Sequence, residues 1–456
     1  MQQQTNHSLL FNRWIHSLAA VTFLLSSCSL QQRIGKSSAS ELLHSAELSS
    51  AHTGISIYEP SSNKYWYNHQ PDKYFTPASN TKIVTCYAAM KLLGDSLVTC
   101  WYNQQGNDIF LRPAGDPTVL HPDYARQPLI QFLQQHKNAT VHISASAWKD
   151  MAMGMGWSWD DYNDDYSAER SLLPVYGNTI KFVQTQTASA PGNSDTAKET
   201  TVYTEPEINW KIRFNQKTEE HFAVRRNQYE NEFTVTEGKE PNREVFIPFI
   251  THGLSSALEV MKDTAGATIV VDTKGDAIND GWKPLYSQPI DSVLAPMMHR
   301  SDNFFAEQLL LMVSQHLLGY MNNEKVADTL LKSLYNGFPQ KPSWADGSGL
   351  SRFNAFTPND FVWLLSQMKA DIPWPRITRI FSTGNQGTLT NYYVADSGYI
   401  YAKTGSLGGV ICLSGYLSTR KNHQLVFSVM VNNHQSTGRA VRRRVEKFLQ
   451  SLRNQY

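Results

Sequence analysis

The stretch Pro77-Ala78-Ser79-Asn80-Thr81-Lys82-Ile83-Val84-Thr85 decides how this chain is read. Pro77 stands just ahead of a helix start, Ile83, Tyr87, Met90 and Leu93 recur at helical spacing, and Gly94 follows as a stop. Ser79 falls in the first turn, and Lys82, three residues on, shares its face. An amine in that place can take the serine proton, so the stretch reads as a nucleophile with its own base. Ser-x-x-Lys also begins at Ser61, Ser146, Ser366 and Ser418, so the motif alone decides little.

Two later groups give it weight. Ser301-Asp302-Asn303 and then Lys403-Thr404-Gly405-Ser406, the sole Lys-Thr-Gly of the chain, complete in order the signature of penicilloyl-serine transferases and their β-lactamase relatives. Each piece also has a plain structural alternative. Ser301-Asp302-Asn303 could be a helix cap, Lys403-Thr404-Gly405 a strand end, and Asp160 and Asp161 solvated loop acids. His299 and the aromatic cluster Trp157, Trp159, Tyr162 and Tyr166 read as packing groups.

A free lysine is neutral at pH 7 in only about one molecule in 2,500, so a lysine base needs its pKa lowered by burial or by a second cation. Lys403 is the candidate cation, and its ammonium also suits a substrate carboxylate. In this reading neutral Lys82 takes the Ser79 proton during attack on an acyl carbonyl. Ser301 relays a proton to the leaving amine, and Asn303 holds the substrate amide and Lys82. Thr404 binds a terminal carboxylate, Gly405 lets a peptide approach the strand, and the N–H groups of Ser79 and Ser406 form an oxyanion hole.

The 456 residues, 41% hydrophobic and 11% aromatic, are ordinary for a globular protein of two or three domains. Residues 1–27 carry one charge, Arg13, and the short apolar run Leu18–Leu25, which has the layout of a signal peptide. Leu25-Ser26-Ser27-Cys28 resembles a bacterial lipobox, with Cys28 as a lipidated N-terminus and residues 28–40 as a tether. The alternative is a plain signal peptide. Without residues 1–27, 40 basic residues balance 40 acidic ones, which argues against nucleic acid as an electrostatic partner. Cys86, Cys100 and Cys412 read as buried thiols, with a Cys86–Cys100 bridge left open. No Cys/His spacing suggests a metal, and no cofactor is called for.

In chain order, strands at His52–Tyr58 and Lys64–Asn68 lead into the Ser79 helix. Residues 95–281 turn to strands and loops and read as a mainly β insertion domain, with a smaller subdomain at about 180–245 and an exposed loop over Thr185–Thr201. The catalytic domain, residues 41–94 and 282–456, resumes with a helical region at Ser292–Leu317. Helices at Asn323–Tyr335 and Asn359–Lys369 follow, then strands at Tyr399–Thr404, Gly409–Leu417 and Gln424–Asn432 and a last helix at Arg439–Leu452. An antiparallel sheet flanked by helices is an α+β core.

Beyond the three motifs, Gly115-Asp116-Pro117-Thr118, Gly156-Trp157-Ser158-Trp159, Ser301 to Glu307, Asp346-Gly347-Ser348-Gly349-Leu350-Ser351 and Gly387-Thr388-Leu389 stand in the order of the DacB-type D-alanyl-D-alanine carboxypeptidase/endopeptidases, the class C low-molecular-mass penicillin-binding proteins, which the chain resembles over nearly all of residues 40–452. The resemblance implies a transpeptidase-like catalytic domain acting on peptidoglycan stem peptides through an acyl-Ser79, with β-lactams acylating the same serine in the cell envelope. It also implies that Arg352 and Asp161 contact a diaminopimelyl side chain. Where the family commonly has an arginine, three residues after Leu389, this chain has Tyr392. The competing readings are a β-lactamase or esterase, for which no residue that activates deacylating water is identifiable, and an inactive peptidoglycan-binding lipoprotein.

Overall fold

The computed structural model describes residues 30–187, 199–272 and 281–456. The signal segment 1–27 and Cys28 lie outside the described residues. The chain divides into two compact units. One holds the described residues up to Asn80 with Gly337–Pro342 and Ala355–Tyr456; the other holds Thr81–Asn336 and Ser343–Asn354.

The first unit is built on a six-stranded antiparallel sheet in the order Ser382–Thr383, Ile400–Leu407, Val410–Ser418, Gln424–Asn432, His52–Glu59, Lys64–His69. Val410–Ser418 and Gln424–Asn432 are almost wholly buried, so both read as near-continuous apolar runs rather than as alternating strands. The last helix, Gly438–Gln455, buries Val441, Val445, Phe448, Leu449 and Leu452 at helical spacing against Ile411, Leu413, Phe427 and Val429. Each of these side chains contributes on the order of 1.5–3 kcal/mol. Helix Pro358–Asp371 also packs on the sheet, and Tyr416 Oη donates to Leu365 O at 2.9 Å. A capping box of Thr357 and Asp360 starts that helix, with Pro358 at its first position. The stretch around residues 34–40, expected to belong to a tether, contributes to this core instead. Ile34 and Ala39 are fully buried and helix Ser38–Leu43 is part of this core, with Ala39 and Leu42, three residues apart, on its apolar face.

In the second unit, helices Thr81–Leu92 and Asn303–Leu318 pack on each other and are buried on nearly every side. They are central helices rather than amphipathic ones. Asp302 caps the second by accepting the Phe305 N–H at 3.0 Å, and Gly319, with φ 76°, closes it. The helical region expected at Ser292–Leu317 is broken where Ser301-Asp302-Asn303 stands, into the helices Asp291–His299 and Asn303–Leu318.

A five-stranded mixed sheet runs Thr268–Asp272, Thr140–Ser144, Asp108–Pro113, Ser96–Gln105, Lys283–Pro289. Its last strand lies past residue 281, because it pairs with Ser96–Gln105 at the start of the same region. Two three-stranded sheets occupy Thr179–Pro248. The loop expected over Thr185–Thr201 is strand at both ends, since Thr185, Gln186 and Thr187 pair with Thr201, Thr200 and Glu199. Runs of threonine and glutamine look like loop but also suit a β ribbon.

Candidate active site

Ser79 sits in the single turn Ala78–Asn80, which runs directly into helix Thr81–Leu92. Ala78 has φ 48°, a left-handed conformation that an alanine adopts only under constraint. The constraint is visible within the first unit. Gly405 lies so close to the turn that a Cβ there would stand 2.5 Å from Pro77 O and 3.2 Å from Asn80 N. Asn80 Nδ2 donates to Ser414 Oγ at 2.7 Å, which ties the turn to the next strand. The reason for Gly405 that the structure shows is room for the backbone of the Ser79 turn itself, apart from the expected one of room for a peptide.

On the same strand Lys403 is fully buried and donates to Thr404 O at 2.8 Å. Thr404 Oγ1 donates to Thr388 Oγ1 at 2.7 Å, and exposed Ser406 accepts from Arg442 Nη2 at 2.6 Å. Tyr392, the departure from the family pattern, lies under the Arg443 guanidinium, 4.3 Å from the ring centroid.

In the second unit Lys82 is fully buried, which is rare for a lysine. Its Nζ donates to Asn303 Oδ1 at 2.6 Å and to Ser348 O at 2.7 Å. Burial lowers its pKa to about 8, against the opposing pull of Asp346, Glu307 and Asp302. Burial, one of the two causes the sequence suggests, is the largest contribution to the shift. Asn303 Nδ2 donates to Tyr166 O at 2.9 Å, so the Asn303 amide is fixed at both ends. Ser301, half-buried, has φ 64° and turns the chain between the two helices.

Asp346 organises the loop that holds the Lys82 acceptor. Oδ1 accepts from Gly349 N at 2.8 Å and Asn354 Nδ2 at 2.7 Å, while Oδ2 accepts from Ser351 N at 2.6 Å and Trp157 Nε1 at 2.9 Å. Trp157 is thus a structural partner of the loop. Trp159, in contrast, is 74% exposed. Asp161 lies in the turn Trp159–Asn163 beside Tyr166, with its pKa raised by burial and by Asp164 and Asp160 against a hydrogen bond from Tyr166. Arg352 is exposed at the tip of the Asp346 loop.

Sequence reasoning missed Glu307, Asp346, Ser348, Tyr166, Thr388 and Arg442 as site residues. A buried acid in the apolar run Phe304-Phe305-Ala306-Glu307 was the available signal for the first. Cys86, Cys100 and Cys412 are buried thiols, not a bridge. Among the described residues no group of His, Cys, Asp and Glu could hold a metal ion, and no helix is long and apolar enough to cross a membrane.

A family model described as D-Ala-D-Ala carboxypeptidase 3 (S13) matches residues 36–453. The chain is 31% identical over 164 residues to carboxypeptidase DacB of Mycolicibacterium smegmatis, a match covering 34% of this chain and 36% of that protein. It is 24% identical over 433 residues to a D-alanyl-D-alanine carboxypeptidase of Actinomadura, covering 86% of this chain and 80% of the other. In fold it is similar to penicillin binding protein 4 of Haemophilus influenzae, with a TM-score of 0.71 at 18% identity over 91% of this chain and 98% of that one.

Proposed function

The chain belongs to the D-Ala-D-Ala carboxypeptidase 3 (S13) family, and on that premise we propose that it is a serine D,D-peptidase of peptidoglycan stem peptides, cleaving the terminal D-alanine or the D-alanyl–diaminopimelyl cross-link. The observation that carries this reading is the Lys82 amine. It is fully buried, has its pKa lowered to about 8 and is held by Asn303, as a lysine base requires.

Neutral Lys82 takes the Ser79 hydroxyl proton as Oγ bonds to the carbonyl carbon of the penultimate D-alanine. The carbonyl electrons move onto oxygen, where the N–H groups of Ser79 and Ser406 stabilise them. As the intermediate collapses, the C–N bond breaks and the leaving amine takes its proton through Ser301 from the Lys82 ammonium. Water then attacks the acyl-Ser79 ester, Lys82 accepting its proton and passing it to Ser79 Oγ as the ester C–O bond breaks, which frees the shortened peptide and restores the serine. Lys403 and Thr404 face the substrate carboxylate, and Asp161 and Arg352 the diaminopimelyl side chain. A β-lactam takes the same path as far as the acyl-enzyme and remains there.

The signal-like run and Leu25-Ser26-Ser27-Cys28 support export and anchoring through a lipid on Cys28. D-Alanine released from a stem pentapeptide, and monomers released from a cross-linked dimer, measure the proposed activity. Release of neither, by folded protein, overturns it.

A further inference from the structure

Glu307 lies one turn after Asn303 on the same helix and is almost fully buried. Its Oε1 accepts the Ser348 N–H at 2.7 Å, its Oε2 accepts from Asn323 Nδ2 at 3.0 Å, and Arg170 Nη1 stands 3.6 Å from Oε2. The same Ser348 gives its carbonyl to Lys82 Nζ at 2.7 Å. One carboxylate thus fixes, through a single residue, the acceptor on which the Lys82 amine rests. Gly347 permits that approach, since a Cβ there would stand 2.7 Å from Ala306 O on the Glu307 helix.

Glu307 also acts on Lys82 through its charge. The charged groups around it are Arg170, which also reaches Asp150 at 3.4 Å, then Asp346 and Lys82. Burial and then Asp346 push Glu307 up to about 7, against Arg170 and the Ser348 hydrogen bond. The Glu307 charge in turn holds the Lys82 proton more tightly. Asp346 and Asp302 act in the same direction, but Asp346 is met by four donors and Asp302 caps the helix end.

We propose that Glu307 is a positioning residue for Lys82: it anchors the Ser348 carbonyl that holds the amine, and its charge sets the pH at which the amine becomes a base. This rests on the reading of Lys82 as the base of Ser79. The test is the rate of acylation by a chromogenic cephalosporin from about pH 5 to about pH 10, with folding checked by thermal unfolding. Glu307→Gln keeps an oxygen for the Ser348 N–H and removes the charge, so its acid limb moves to lower pH by about one unit. Glu307→Ala loses both, and its plateau rate falls by about tenfold or more.

A purely structural role would lower the plateau without moving the acid limb, and an unmoved limb in the glutamine variant overturns the charge claim. A full plateau rate in the alanine variant overturns the positioning claim. If neither variant folds, Glu307→Asp decides, since it keeps the charge and shortens the reach to the Ser348 N–H. A lowered plateau with an unmoved acid limb supports the proposal, and the parent's plateau overturns the positioning claim. A parent that forms no penicilloyl adduct overturns the function itself, whereas a parent that acylates normally beside an unmoved Glu307→Gln profile overturns only this inference.

Discussion

Gly405→Ala tests how closely the Lys403 strand is fitted to the Ser79 turn. The new Cβ would stand 2.5 Å from Pro77 O, 3.2 Å from Ala78 Cβ and 3.2 Å from Asn80 N. Two of these are backbone atoms that no rotamer change can remove. A comfortable carbon–oxygen contact is about 3.3 Å or more, so strand and turn must part by roughly 0.8 Å. Overpacking of this kind costs about 1–3 kcal/mol, or roughly 2–12 °C of melting temperature. A displacement near 1 Å at a nucleophile costs about 10²-fold in rate. Stopped-flow acylation by a chromogenic cephalosporin, beside calorimetry, reads both effects. An alanine variant that melts with the parent and acylates within about three-fold of it refutes the claim that close fit at Gly405 places Ser79.

Acylation climbs with pH through about 8, where Lys82 loses its proton, because burial has lowered its pKa; a rate that begins to climb only above pH 10 contradicts this. Asn303→Ala removes the acceptor 2.6 Å from Lys82 Nζ and slows acylation at neutral pH by about 10²-fold, measured as fluorescent-penicillin labelling against time. Asp346→Ala strands four donors around one missing carboxylate and costs about 3–5 kcal/mol in urea unfolding; a loss below about 1 kcal/mol contradicts the role given to that loop. Cys86, Cys100 and Cys412 are buried, and burial pushes the Cys412 thiol up to about 12, so Ellman's reagent reacts with these three only after unfolding.

Much of this was legible because local chemistry and long-range order agree. The strands His52–Glu59, Val410–Ser418 and Gln424–Asn432 announce themselves by apolar runs between turns, and the last helix by its spaced Val441, Val445, Phe448 and Leu452. Lys82 and Asn303, far apart in sequence, could be paired because each belongs to a motif of known order; the structure joins them at 2.6 Å.

What stayed hidden depends on tertiary contact. Asp346 looks like a turn residue in a Gly/Ser-rich loop, and nothing local says that Trp157 donates to it. Ser348 acts through its carbonyl, which every residue has. The Ala78 φ of 48° and the narrow space at Gly405 are set by strand packing, so the sequence alone offers only substrate approach as the reason for the glycine. Thr185–Thr187 look like loop because their partners, Glu199–Thr201, lie across a polar segment.

The central claim, that Ser79 is an acylating nucleophile, is tested most directly by the intact mass of the purified protein after incubation with benzylpenicillin, beside a Ser79→Ala control. A persistent one-to-one adduct on the parent and none on the control is the predicted result. A folded parent that stays unmodified, or an adduct that persists in the Ser79→Ala protein, contradicts it.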